Sequence, residues 1–145
     1  MDAHVALPII PNVKDPESDR LQYEFSAGVA KAVLSGKRVD LEAMEMLANA
    51  LTRLGRHYEA LEIDRSIIRL EPESNVAHYN LACSLANLRL VDQAFEALAK
   101  AVELGYSDLR TMIKDPDLEG LRVDERFNTL LRRIRKGGLV PREGE

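Results

Sequence analysis

The chain has 145 residues, of which 46% are hydrophobic and 30% charged, a composition typical of a single globular domain with a sizeable core. Its net charge of −4 disfavours a general nucleic-acid binder, and no apolar run is long enough to span a membrane. Cys83 is the only cysteine, which excludes an intramolecular disulfide and fits a reducing compartment. Because the N-terminus MDAHVALPII is also unlike a secretion signal, we predict a cytoplasmic protein without a membrane partner.

Residues 1–14 are predicted to form an extended N-terminal arm. They are rich in apolar residues, but Pro8 and Pro11 prevent a helix. The favoured interpretation is a tail that lies across a hydrophobic surface or is mobile. The alternative is an arm that occupies the protein's own groove or the groove of a neighbouring copy.

A first helix is predicted over residues 15–36, with Asp15 as its N-terminal cap and Pro16 in its first turn. One face of this helix carries apolar side chains, at Leu21, Phe25, Val29 and Ala32 or Val33. In the repeat spacing described next, Ser26 corresponds to Ala60, another small residue. We therefore predict that this helix is the second half of a degenerate repeat and covers one end of a stack.

Residues 41–108 contain the same pattern twice, because 47–72 aligns without a gap on 81–106. In the first copy, apolar residues at three- and four-residue steps predict two helices, with stripes at Met44, Leu47, Leu51 and Leu54, and at Ala60, Ile63, Ile67 and Leu70. The second copy carries the matching stripes, at Leu81, Leu85 and Leu88, and at Ala94, Leu98, Ala101 and Leu104. Gly55, Pro72 and Gly105 are predicted to end helices.

A period of about 34 residues with this pattern resembles the tetratricopeptide repeat (TPR) family. The resemblance includes small residues where the two helices of a pair would cross, at Ala48, Ala60, Ala82 and Ala94. Two features depart from the family pattern: Met44 and His78 stand where tryptophan or another bulky residue is favoured, and Tyr106 replaces a proline. The resemblance implies an all-α fold, a right-handed α-solenoid of antiparallel helix pairs.

After the second copy, Ser107 is predicted to cap a short helix, which Asp115 and Pro116 interrupt. Asp124 is predicted to open a final amphipathic helix, which Gly137 ends together with the glycine after it. This block resembles the segment that follows the last repeat in many bacterial repeat proteins, and we interpret it as a C-terminal cap.

The predicted organisation is one TPR-like domain over 15–137 between two terminal segments. Its parts are the N-terminal arm 1–14, the first helix 15–36, repeat 1 at 41–74, repeat 2 at 75–108, the cap 109–137 and a flexible tail 138–145.

No catalytic or phosphate-binding motif is present in the sequence, and the three histidines are scattered. Cys83 has no activating neighbour in sequence and is interpreted as a small apolar helix residue. The basic residues of the last helix, without interleaved aromatic residues, are interpreted as a solvated face. We therefore expect no enzymatic activity, no cofactor and no metal site.

The TPR resemblance implies that the first helix of each pair lines a concave groove in which an extended peptide lies. The candidate groove residues are Glu45, Asn49, Thr52, Arg53, Val76, Tyr79, Asn80, Cys83, Asn87, Arg110 and Lys114. Some family members bind a C-terminal carboxylate with two asparagines and several basic residues, a set that Asn49, Asn80, Arg110 and Lys114 match in spacing. Glu45 stands at the first basic position, so an ordinary polar lining is the favoured interpretation.

The predicted function is a non-enzymatic adaptor that binds a peptide or a segment of a partner protein. Two alternatives remain open from the sequence. One is a self-associating structural protein, in which an end helix or the N-terminal arm docks on another copy. The other is a regulatory module of a larger enzyme complex.

Overall fold

The computed structural model describes residues 16–36 and 39–139, the last two by their backbone only. These residues form α-helices joined by short turns and one 3-10 turn, and no strand occurs among them. The elements are α1 Pro16–Leu34, α2 Leu41–Arg53, α3 His57–Leu70, α4 Asn75–Asn87, α5 Val91–Glu103, α6 Leu109–Lys114, the 3-10 turn Pro116–Leu118, α7 Glu119–Arg122 and α8 Glu125–Leu139. The predicted arm 1–14 and most of the tail lie outside the described residues.

The helix boundaries of the two repeats follow from local chemistry. The Asp40 carboxylate accepts a hydrogen bond from the backbone N–H of Ala43, and Ser74 caps α4 in the same way. Side-chain caps of this kind each contribute about 1 kcal/mol. At the other end of α2, Gly55 has a positive φ of 77°, a conformation that glycine adopts without strain. Arg89, its equivalent after α4, adopts a φ of 61° although it carries a side chain.

Successive helices pack side by side, α1 on α2, α2 on α3, α3 on α4 and α4 on α5. The small residues predicted at the helix crossings are buried, and Ala60, Ala82 and Ala94 are 0% exposed. Side chains without a large Cβ substituent let the helix backbones approach closely, and larger ones would overpack the contact. The prediction of an all-α solenoid of helix pairs is confirmed.

The first helix, α1, packs on α2 through Ala27 and Ala30, with Tyr23 and Leu34 at the edges of the contact. Its apolar stripe therefore does not face the repeats. Leu21, Phe25, Val29 and Val33 are instead 62%, 74%, 40% and 46% exposed. The stripe is a second face of the helix, which the described residues leave uncovered.

The C-terminal segment covers the far end of the stack. Met112, Leu118 and Leu121 are almost fully buried, and they join the core of repeat 2 together with Phe127 and Leu130 of α8. Two predicted boundaries were wrong. Asp108 rather than Ser107 caps α6, because its carboxylate accepts the Thr111 N–H. The last helix also continues through both glycines to Leu139.

Candidate functional site

A cavity of about 280 Å³ opens on the concave side of the solenoid. We call it the groove cavity, and its walls come from α2, α3, α4 and the 3-10 turn of the cap with the residue before it. Its lining consists of Glu45, Ala48, Asn49, Thr52, Arg53, Asp64, Ile67, Asn80, Cys83, Asp115 and Asp117. Both repeats and the cap therefore contribute side chains to one site.

The floor of the groove cavity contains a buried carboxylate. Asp64 of α3 is only 3% exposed, and it accepts a hydrogen bond from the hydroxyl of Ser84, which is 1% exposed on α4. Burial raises the pKa of the Asp64 carboxyl to about 6, and the Ser84 hydrogen bond opposes this rise. A carboxylate in such a position costs folding free energy unless a positive group faces it.

Asp115 and Asp117, in the turn at the start of the cap, form an acidic wall of the cavity. The Asp115 carboxylate caps the turn by accepting the Asp117 N–H at 3.0 Å. The Asp117 carboxylate accepts hydrogen bonds from Asn87 at 3.1 Å and from Arg53 at 3.3 Å. The Arg122 guanidinium donates to the Asp115 carbonyl at 2.8 Å and holds the turn from behind. The two carboxylates are therefore fixed on the concave face of α4.

Tyr79 and Cys83 of α4 support this wall from below. The Tyr79 hydroxyl donates to Asp115 at 2.7 Å, and the Cys83 thiol lies 3.7 Å from the same carboxylate oxygen. Burial, followed by the nearby negative charge, raises the pKa of the Cys83 thiol and keeps it protonated. The Tyr79 ring stacks on Tyr106 with centroids 4.3 Å apart, so the residue that replaces the family's proline holds a groove residue in place.

The predicted groove residues fall into four groups. Six of them line the groove cavity: Glu45, Asn49, Thr52, Arg53, Asn80 and Cys83. Val76 and Tyr79 lie with Asn80 in a neighbouring open depression beside Tyr106, and Asn87 donates a hydrogen bond to Asp117 of the acidic wall. Arg110 and Lys114 are exposed on α6 and line neither of these two depressions.

Sequence reasoning missed the three carboxylates that, with Glu45, give the groove cavity its charge. Asp64 could have been found, because it stands one repeat length before the apolar Leu98 and so interrupts a repeated apolar stripe. Asp115 was interpreted only as part of a helix break with Pro116, and Asp117 was not singled out. Nothing in the sequence indicates that this turn folds back against α4.

The carboxylate-binding pattern is not assembled. Asn49 and Asn80 do face the groove cavity, but the two basic residues expected to join them are absent from its lining. Asp115 and Asp117 stand there instead, and they would repel an anionic ligand. The favoured interpretation of an ordinary polar lining therefore also needs revision, because the site is acidic.

Cys83, Asp115 and Asp117 bring three possible metal ligands within 4.8 Å of one another. Both carboxylates already accept hydrogen bonds from side chains, which hold the cluster together without an ion. The geometry does not favour a metal centre over a hydrogen-bonded wall.

No family model matches the chain. Over 83 residues, or 55% of the chain, the sequence is 39% identical to an Arabidopsis thaliana protein whose name describes it as chloroplastic. The matched region spans 25% of that relative, so the chain corresponds to about a quarter of its length. A solved structure titled "MamA RS-1 ArsTM double mutant" superposes with a TM-score of 0.61 at 18% identity, covering 89% of this chain and 80% of that one. The fold is therefore a TPR-like helical solenoid.

No described helix is long and apolar enough to cross a membrane.

Proposed function

We propose that the chain is a non-enzymatic protein-interaction module that holds an extended segment of a partner protein in its concave groove. The observation that carries this proposal is the groove cavity, to which α2, α4 and the cap each contribute polar side chains. Several of these are exposed, among them Glu45, Asn49 and Asn80, so their hydrogen-bonding groups are available to a ligand.

The TPR-like fold supports a protein ligand, because solenoids of helix pairs present extended concave surfaces of this kind. The volume of the cavity also matters. Pockets for small molecules and cofactors typically have volumes of about 300–1,000 Å³, and the groove cavity, at about 280 Å³, lies at the small end of this scale. It suits one side chain of a longer segment.

The cytoplasmic location stays a prediction, which the chloroplastic name of the Arabidopsis relative does not support.

The test is an affinity purification from native cell extract with the wild-type chain and the double variant Asn49→Ala, Asn80→Ala. Both amides are exposed, so the variant is expected to stay folded, as circular dichroism would check. We expect the partners bound by the wild type to be lost. The matched control is Gln93→Ala with Asn128→Ala, which removes two exposed amides outside the groove cavity. Partners that survive in the groove variant would contradict the proposal.

A second candidate function, self-association, is favoured by the exposed stripe on α1. Val29 and Val33 stand one repeat length before Ile63 and Ile67 of α3, and Ile67 is 3% exposed. Val29 and Val33 thus occupy positions at which repeat 1 packs apolar residues, and the same stripe of a second copy could cover them. Light scattering at increasing concentration should show a dimer in the wild type and a monomer for Phe25→Glu. A wild type that stays monomeric would exclude this candidate.

A further inference from the structure

The groove cavity has an excess of negative charge. Its lining holds the carboxylates of Glu45, Asp64, Asp115 and Asp117. Among the described residues that line it, Arg53 carries the one positive side chain, and that guanidinium already pairs with Asp117 at 3.3 Å. The other three carboxylates face the cavity with no lining cation to balance them. A concave site lined by one sign of charge focuses its field on a ligand of the opposite sign.

The position of these charges is fixed by the fold. The acidic wall is held by hydrogen bonds from Tyr79, Asn87 and Arg53, and behind it Leu118 is 0% exposed. Turning these carboxylates away from the cavity would break those hydrogen bonds. Asp64 on the floor is buried and is held by the hydrogen bond from the Ser84 hydroxyl. Preorganised acceptors of this kind lose little conformational freedom when a ligand binds.

The remaining lining groups suit a donor with several hydrogens. Asn49 and Asn80 each offer an amide oxygen on the α2 and α4 walls, and Glu45 offers a carboxylate at the rim. The ammonium group of lysine donates three hydrogen bonds and the guanidinium of arginine five, on long apolar stems. Ala48 and Ile67 provide apolar surface on which such a stem can pack.

We propose that the groove cavity binds the lysine or arginine side chain of a partner segment, so that the partner is recognised by a positive charge. This inference rests on the proposed function, because it names the chemistry of the segment that the groove would hold. A bound cation would also compensate the desolvation of Asp64 at the cavity floor.

The test uses NMR titration of the full-length, ¹⁵N-labelled chain with capped peptides. The peptides are Ac-Ala-Ala-Lys-Ala-Ala-NH2 and its counterparts with arginine, norleucine or glutamate at the centre. We expect the lysine and arginine peptides to shift the backbone amide signals of Asn49, Asn80 and Asp117. Their affinity should exceed that of the norleucine peptide by roughly tenfold or more, because hydrogen bonds to charged groups are the stronger ones.

Two variants test which carboxylates are responsible. Asp64→Asn keeps an acceptor for the Ser84 hydroxyl while it removes the buried charge, and Glu45→Gln removes the charge at the rim. Each should weaken binding of the lysine peptide by at least about threefold, because each removes a charge-assisted contact with the lysine ammonium group. The control is Glu96→Gln, which makes the same charge change on the exposed side of α5. Its affinity should equal that of the wild type.

Several outcomes would overturn the inference. These are equal affinities for the lysine and norleucine peptides, no shift with either cationic peptide up to its solubility limit, or shifts produced by Zn²⁺ or Mg²⁺ but not by the peptides. Failure here is separable from failure of the proposed function. The lysine and norleucine peptides could bind equally well while the double variant Asn49→Ala, Asn80→Ala still loses the partners. The groove would then remain the binding site, but without a preference for cationic side chains.

Discussion

Repeat 1 and repeat 2 have the same helical pattern but place different chemistry at one equivalent buried position. In repeat 2, Leu98 is 0% exposed and belongs to the core that continues into the cap. In repeat 1, the equivalent residue is Asp64, which is 3% exposed and faces the groove cavity. Repeat 2 therefore places an apolar side chain at this position, whereas repeat 1 places a carboxylate there, at a cost in folding free energy, beside the groove cavity. Functional sites often carry such a cost.

The largest effect is expected when repeat 2 receives a polar side chain like that of repeat 1. Leu98→Asn removes a fully buried apolar side chain and leaves an amide without hydrogen-bond partners. We expect a loss of at least about 3 kcal/mol in the free energy of unfolding. Urea denaturation followed by circular dichroism would measure it. A loss below about 1 kcal/mol would show that position 98 tolerates a polar side chain as position 64 does.

Asp64→Asn is expected to change stability in the opposite direction. Burial raises the pKa of the Asp64 carboxyl to about 6, from an unfolded value of 3.8. The native state therefore holds this proton more tightly than the unfolded state, and stability falls as pH rises from about 4 to 6. Above pH 6 the full cost is present, on the order of 2–3 kcal/mol.

The asparagine variant does not ionise, so it should be more stable than the wild type by about 2 kcal/mol at pH 7.5 and by little at pH 4. Urea denaturation at both pH values would measure the difference. The control is Glu96→Gln, because Glu96 is exposed on α5. A difference between Asp64→Asn and wild type that does not depend on pH would show that the effect comes from packing rather than from charge.

The helix crossings should respond alike in both repeats. Ala60→Leu and Ala94→Leu each enlarge a side chain where the wild-type residue is 0% exposed. We expect each to destabilise the domain by about 1–3 kcal/mol through overpacking. Thermal melts of the two variants measure this directly. An unchanged melting temperature for one variant alone would mean that its repeat packs more loosely than the structure indicates.

The smallest effect concerns the ends of α2 and α4. Arg89 has a φ of 61° where repeat 1 has Gly55 with a φ of 77°. Arg89→Gly should stabilise the domain by up to about 1 kcal/mol, because it relieves a left-handed backbone conformation. The reciprocal change, Gly55→Arg, should cost about the same, since nothing lies within 4 Å of a Cβ at that position. Chemical denaturation would measure the change in unfolding free energy of each variant. A gain for Arg89→Gly and a loss for Gly55→Arg would confirm that the two positions are equivalent, whereas two changes of the same sign would contradict it.

The helices of the repeats could be predicted because their apolar periodicity and their caps are local properties of the sequence. Six groove residues could also be predicted, because the alignment of the two repeats gives the positions that face the concave side. The orientation of α1 was not predictable in this way, because the helix has two faces with small or apolar residues, and packing on α2 selects the one with Ala27 and Ala30. The acidic wall depends on a tertiary contact between Asp115 and Tyr79, 36 residues apart, which no local pattern encodes.

The stacked tyrosines give the groove a built-in optical signal. The chain contains no tryptophan and four tyrosines, and Tyr79 and Tyr106 lie face to face at 4.3 Å while the Tyr79 hydroxyl donates to Asp115. A phenol that is hydrogen-bonded to a carboxylate emits weakly, so Tyr79 should contribute little fluorescence while the acidic wall is docked. Release of the wall would break that bond and brighten the emission. Undocking of the cap could thus be followed in the unlabelled protein, separately from the melting of the helices.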